Sequence, residues 1–178
     1  LAKTILSLPG TDKLSVLCNG SQVALFTDDS FVSAYPRVHH DSYIANLYFV
    51  NDDYTDAVSI KKSITLSDEK SLERAVIELL MGESGLDGVR TPFPAGTILN
   101  DIYIDGGTCV VDVSSKFITA AKHGKEEETT VIFAIVNTLT ELPKIDNVKF
   151  LINGIDGYGY THYDLSVPMT NSEQLFED

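Results

Sequence analysis

The order of elements in this sequence predicts an α+β domain, a two-layer sandwich with two helices on one face of a small, mostly antiparallel sheet. Three observations predict it. Residues 72–80 and 131–142 each place apolar side chains on one stripe at about 100° per residue, the mark of a helix packed on one side. The runs 43–50, 98–105, 108–113 and 148–152 are rich in Val, Ile, Phe and Tyr, as strands are. Turn-forming dipeptides, Asn19-Gly20, Gly106-Gly107 and Asn153-Gly154, separate or end extended runs. The order β–β–α–β–β–α–β lets two helices of one apolar face each cover one face of a sheet. The hairpin at Gly106-Gly107 falls between the helical halves, as in split βαβ arrangements. The chain thus divides into a hairpin-containing extension (1–42), the α+β domain (43–170) and a polar tail (171–178).

Each element has its own signals. Residues 14–18 and 21–26 flank Asn19-Gly20, which suits a type I′ turn because both central positions need positive φ. The polar stretch 28–41, with Pro36 and His39-His40, reads as a connector. The strand 43–50 stops at Asn51-Asp52-Asp53, and 57–66 is a weaker extended segment. Ser67-Asp68 can cap the first helix. That helix gathers Leu72, Ala75, Val76, Leu79 and Leu80 on one face and ends at Gly82. A Gly- and Pro-rich loop, 85–96, precedes the central hairpin, and 114–123 reads as loop with one helical turn. Gly124 frees the chain to enter the second helix. Glu126, Glu127 and Glu128 occupy its first turn, where unpaired amides and the helix dipole favour negative charge. Its stripe is Val131, Ile132, Ile135, Val136, Leu139 and Leu142, and Pro143 stops it. In 148–152, Val148, Phe150 and Ile152 alternate with Lys149 and Leu151; a short strand is predicted over 163–167.

Composition narrows the function. At 178 residues and 43% apolar, the chain can bury a core. A net charge of −13 with 13 scattered basic residues argues against nucleic acid and against adhesion to an anionic membrane surface. Cys18 and Cys109 read as buried thiols acting as small apolar groups; whether they pair is left open. No catalytic pattern survives inspection. Ser67 and Lys70 match S-x-x-K without its companion motifs, and Ser84 misses the nucleophile elbow by one residue. Gly157 and Gly159 lack the third glycine of a dinucleotide loop. No metal-ligand spacing links the histidines. The expectation is no enzyme, no metal and no cofactor; abundant aspartates keep a paired-carboxylate hydrolase as an alternative.

Six stretches in sequence carry a resemblance: LYFVNDD (47–53), SLERAVIELLMG (71–82), PAGT (94–97), VVDVSSKF (110–117), AIVNTLTE (134–141) and VKFLING (148–154). Together they resemble the GerMN, or sporulation and spore germination, domain family, over roughly 43–170. The resemblance implies a noncatalytic scaffold or assembly domain of the cell envelope, similar to ring-building modules. It also implies export and membrane anchoring, often as a lipoprotein, here through a segment ahead of Leu1. Partners would be other envelope proteins or further copies of the chain.

Candidate ligand or partner residues follow. Asn51, Asp52 and Asp53 end a strand and are a candidate ligand loop, although Asn and Asp there also satisfy their own backbone. Asn137 is polar on an apolar helix. Tyr158 and Tyr160, read as exposed, could stack on peptidoglycan or another saccharide, which is the alternative function. Ile77 and Met81 project away from Leu72, and Phe133 away from the second stripe. Apolar residues on the backs of both helices predict a cover, either the N-terminal segment with Ile5, Leu6, Leu14, Val16, Val23 and Leu25 or another protein chain.

Overall fold

The computed structural model describes residues 13–18, 21–27, 42–66, 70–119, 124–160 and 162–171, the first two segments as backbone only. The Asn19-Gly20 turn, the Ser67-Asp68 cap, His39-His40, the side chain of Cys18, the apolar residues of the N-terminal segment and the tail beyond residue 171 lie outside the described residues. The chain forms two compact units, Leu1–His39 and His40–Asp178. In the first, β1 (Lys13–Cys18) pairs antiparallel with β2 (Ser21–Thr27).

The second unit is α+β. β3 (Ser42–Asn51) and β4 (Ala57–Thr65) form a long antiparallel hairpin in register from Ser42↔Thr65 to Val50↔Ala57. The two-residue β5 (Val89–Arg90) adds to the end of β3, giving the order β4-β3-β5. A second three-stranded sheet has the order β6-β7-β8. Its hairpin joins β6 (Leu99–Asp105) to β7 (Thr108–Val113), and β8 (Asn147–Ile152) pairs parallel with β7. A parallel pair needs a crossover. Here it runs through α2 (Lys116–Thr119) and α3 (Lys125–Thr140). α1 (Leu72–Leu80) packs against α3, β3 and β6. Predicted boundaries hold within a residue or two, and α3 begins just after Gly124, as its first-turn glutamates predict. Residues 163–167 are not a strand: they form turns with a single bridge, Gly159↔Asp164.

Phe49, Ile102, Val111 and Phe150, expected beneath the helices, are buried in one core with Val76, Ile77, Leu80, Ile132, Ile135 and Leu139. Two helix faces differ from expectation. On α1 the buried residues are Val76, Ile77 and Leu80, while Leu79 is exposed. Ile77 is therefore core, not a surface for a partner. α1 is covered by β3 as well as by β6 and α3, so its apolar stripe centres away from Leu72. α3 is buried on nearly every side from Glu128 to Leu139 because it packs on both β3 and β8.

That central position gives Asn137 and Thr138 structural places. Asn137 is buried within α3. β5 pairs with β3 at Val50 and Asn51 alone. The Tyr48 amide nearby donates instead to Thr138 Oγ1 at 2.9 Å, which donates in turn to the Ala134 carbonyl at 2.8 Å. A helix side chain thus satisfies a part-buried strand amide.

The same strand sends Asn46 Nδ2 to Glu141 Oε2 at 2.6 Å, and the Tyr48 hydroxyl donates to Glu141 Oε1. Burial, then the bond to Glu141 and its charge, push the Tyr48 phenol up to about 12 from about 10. A phenol raised in the folded state contributes stability that is full below pH 10 and is lost as pH rises through 12. In a phenolate absorbance titration, Glu141→Gln should bring the Tyr48 transition down, with Tyr48→Phe identifying it. An unchanged transition would mean that Glu141 does not contribute.

Candidate functional site

Polar groups concentrate where α3 begins. Gly124 enters the helix in an extended conformation; a Cβ there would meet Glu127 Oε2 at 2.6 Å, so glycine leaves room for that carboxylate. The three first-turn glutamates have different surroundings. Glu126 is exposed, Glu127 half-buried, and Glu128 only 1% exposed. Its Oε2 accepts the His162 backbone N–H at 2.8 Å and lies 3.0 Å from His162 Nδ1. A carboxylate removed from water needs partners of this kind. The next residue of each segment also meets: Thr129 Oγ1 and the Tyr163 hydroxyl are 2.6 Å apart. The Tyr163 ring stands edge-on to Phe133 at 6.2 Å. The turn between β3 and β4 joins through Thr130 Oγ1, which donates to the Thr55 carbonyl at 3.3 Å.

Tyr160 completes the cluster. Its ring lies 5.3 Å from Phe117, it is 4% exposed, and its hydroxyl has no hydrogen-bond partner among the described residues. Burial first, then the charge of Glu128, keeps the phenol neutral well above its ordinary range. Segment 158–165 is thus a strap over the start of α3. It closes on itself through the Leu165 amide, which donates to the Tyr158 carbonyl at 3.2 Å.

The arrangement holds structure more readily than it does chemistry. A carboxylate on histidine Nδ1 is half of a nucleophile-activating system. Glu128, however, divides its acceptor between that ring and a backbone amide. The Cys109 thiol is buried and pushed by burial, then by Glu73, up to about 12, opposite to an activated cysteine. Among the described residues no three His, Cys, Asp or Glu side chains come together as a metal site.

The sequence candidates separate. Asn51 is a turn residue: its Oδ1 accepts the amides of Thr55 and Asp56 at 2.8 and 3.2 Å. Asp52 is exposed and ion-pairs with Arg90, whose guanidinium sits 5.6 Å from the Tyr54 ring centre; Asp53 is exposed nearby. Met81 is half-buried at the mouth of a cleft of about 570 Å³ formed by the loop from Gly82 to Thr91. Phe133 is half-buried and covered in part by Tyr163. Tyr158 is exposed as expected. Tyr160 is not, because the pocket beside Phe117 takes its ring, so the two tyrosines do not form one stacking platform. Sequence reasoning missed Glu128 and His162. The signal for Glu128 was present: it shares the apolar stripe of Val131, Ile132 and Ile135 at helical spacing.

With that geometry in hand, the comparisons place the chain in a class of α+β domains and then in a family. The chain belongs to the Germane family, described as sporulation and spore germination, which matches residues 46–157. It is 29% identical over 100 residues to the spore germination protein GerM of Bacillus subtilis, covering 53% of this chain and 26% of that protein. The chain therefore spans about a quarter of the length of that relative. Among solved structures it is similar to the tandem GerMN domains of the sporulation protein GerM from Bacillus subtilis, with a TM-score of 0.54, 24% identity, and coverage of 74% of this chain and 45% of that one. The first GerMN domain of that protein gives 0.52 at 24% identity, with 74% of this chain and 98% of that one. A candidate lipoprotein from Clostridium perfringens gives 0.53 at 18% identity, covering 75% and 91%. These structural likenesses establish the fold. No helix among the described residues is long and apolar enough to cross a membrane.

Proposed function

We propose that this domain is a noncatalytic assembly module of the cell envelope that acts in sporulation or germination by holding other proteins. The observation that carries the reading is the family match over residues 46–157, which runs from within β3 to just past β8. Envelope placement draws support from the candidate lipoprotein of the same fold. A noncatalytic role is supported by where the polar groups of the α3 cluster are spent, on one another, on a backbone amide and on a backbone carbonyl.

The test is made in the cells that carry the protein. Removing this domain from the full-length protein should lower sporulation or germination. Chemical crosslinking of the intact protein should recover it joined to envelope proteins. Normal sporulation and germination, or full function from a version that forms no crosslinks, would overturn the reading.

A further inference from the structure

The two sheets of the His40–Asp178 unit have four outer strands, and three of them are blunted in recognisable ways. An unguarded edge offers free amides and carbonyls to any passing strand. β4 carries Lys61 and Lys62. β5 is two residues long. β8 is capped by the Met169 backbone, which exchanges two 2.8 Å bonds with Val148, and by the Ile155 carbonyl, which accepts the Ile152 amide at 3.0 Å. β6 is guarded at its start, where the ladder shifts register between Leu99 and Asp101 and the Ile102 amide donates to Asp101 Oδ1 at 2.9 Å; its Tyr103–Asp105 end has none of these devices. Its sequence, LNDIYID, holds no Lys, Arg or Pro, and among the described residues no strand or bridge pairs with its outer side. Tyr103 is 45% and Ile104 38% exposed.

A groove of about 230 Å³ lies beside this edge, with Leu72, Ile104, Leu142, Pro143 and Ile145 as its apolar lining. Strand addition beside a pocket for alternate side chains is a common way to bind an extended peptide. The surrounding charge is negative. Arg74 and Asp101 compensate each other in an ion pair at 2.9 Å, which leaves Glu73, Asp105 and Asp146 against Lys144. A second copy of this chain suits the edge poorly. Two-fold antiparallel pairing about Tyr103 would set Asp101 directly opposite Asp105, twice, and like charges in facing positions destabilise a sheet.

We infer that β6 and its neighbouring groove bind an extended segment of a partner protein in which apolar residues alternate with Lys or Arg. The segment adds as a fourth strand outside β6. An apolar side chain enters the groove at Ile104, and basic side chains meet Asp105, Asp146 and Glu73. The inference deepens the assembly reading by naming a surface and a partner chemistry.

The test uses the full chain and two short synthetic peptides, one alternating Val with Lys and the other Val with Glu. Fluorescence anisotropy should show binding of the Lys peptide alone, with amide shifts at Leu99–Asp105 in heteronuclear NMR spectra. Ile104→Lys and, independently, Tyr103→Lys should each weaken it about tenfold or more, because like charge now stands in the edge. Both positions are partly exposed, and unchanged circular dichroism confirms the fold. Binding that maps to Glu126–Glu128, or survives both variants, is nonspecific charge attraction and overturns the proposal. So does amide exchange in the free chain as slow along β6 as along β7, which would show the edge occupied by the chain's own segment. A dimer in sedimentation that Tyr103→Lys dissociates would make a second copy the occupant and overturn it too. If the peptides fail while crosslinking in cells still recovers envelope proteins, the edge proposal alone falls.

Discussion

Phe117→Ala is expected to destabilise the α+β unit by about 3–5 kcal/mol, the range for deleting a buried aromatic ring. Phe117 is fully buried in the short helix α2. Its ring stacks on Phe150 of β8 at 5.6 Å, tilts against Phe93 at 5.9 Å and meets Tyr160 of the strap at 5.3 Å. One side chain therefore joins the sheet, the loop before β6 and the strap. A domain stable by about 5–15 kcal/mol would keep little margin, and the urea midpoint should fall accordingly. Tyr160→Phe should move the other way or not at all. It removes a buried hydroxyl that has no partner among the described residues and keeps the ring. A loss under about 1 kcal/mol for Phe117→Ala would show that the strap and sheet do not depend on this contact.

The second large effect is at Glu128. His162→Ala removes the ring, itself 38% exposed, that faces a sealed carboxylate and should cost about 1.5 kcal/mol, the value of a hydrogen bond to a charged group, since the backbone amide of residue 162 still reaches the carboxylate. Adding Glu128→Gln takes away the stranded charge, so the double variant should recover more than half of that loss. A double-mutant cycle in urea reads the coupling directly. A double variant no more stable than His162→Ala alone would mean that the carboxylate was not the source of the cost.

These two sites mark where sequence reasoning succeeded and where it stopped. Strands β3, β6, β7 and β8 were legible because their apolar runs end at turn formers such as Asn51-Asp52-Asp53, Gly106-Gly107 and Asn153-Gly154. The start of α3 after Gly124 was legible too, although the β-branched residues from Thr129 to Ile132 argue weakly for strand. In the structure Thr129 and Thr130 bond back to the carbonyls of Lys125 and Glu126, which reconciles them with a helix. Ile77 was misassigned because a wheel centred on Leu72 assumes that one surface covers the helix, whereas α1 meets β3, β6 and α3. The contact of Glu128 with His162 spans 34 residues and depends on the strap's path, which local patterns do not encode. The open edge of β6 is likewise a property of strand order, visible only once β8 is found parallel to β7 on the other side.

The central claim, that this domain works by holding other proteins and not by chemistry, is tested most directly by exchanging two single residues in the full-length protein within its own cells. Tyr103→Lys alters the edge of β6 and leaves the α3 cluster alone; Glu128→Gln does the reverse and keeps an oxygen to accept the His162 amide. With both proteins at normal abundance, Tyr103→Lys should impair sporulation or germination and Glu128→Gln should not. The opposite pattern, a folded Glu128→Gln protein without function beside a fully active Tyr103→Lys protein, would contradict the claim and point to a working carboxylate.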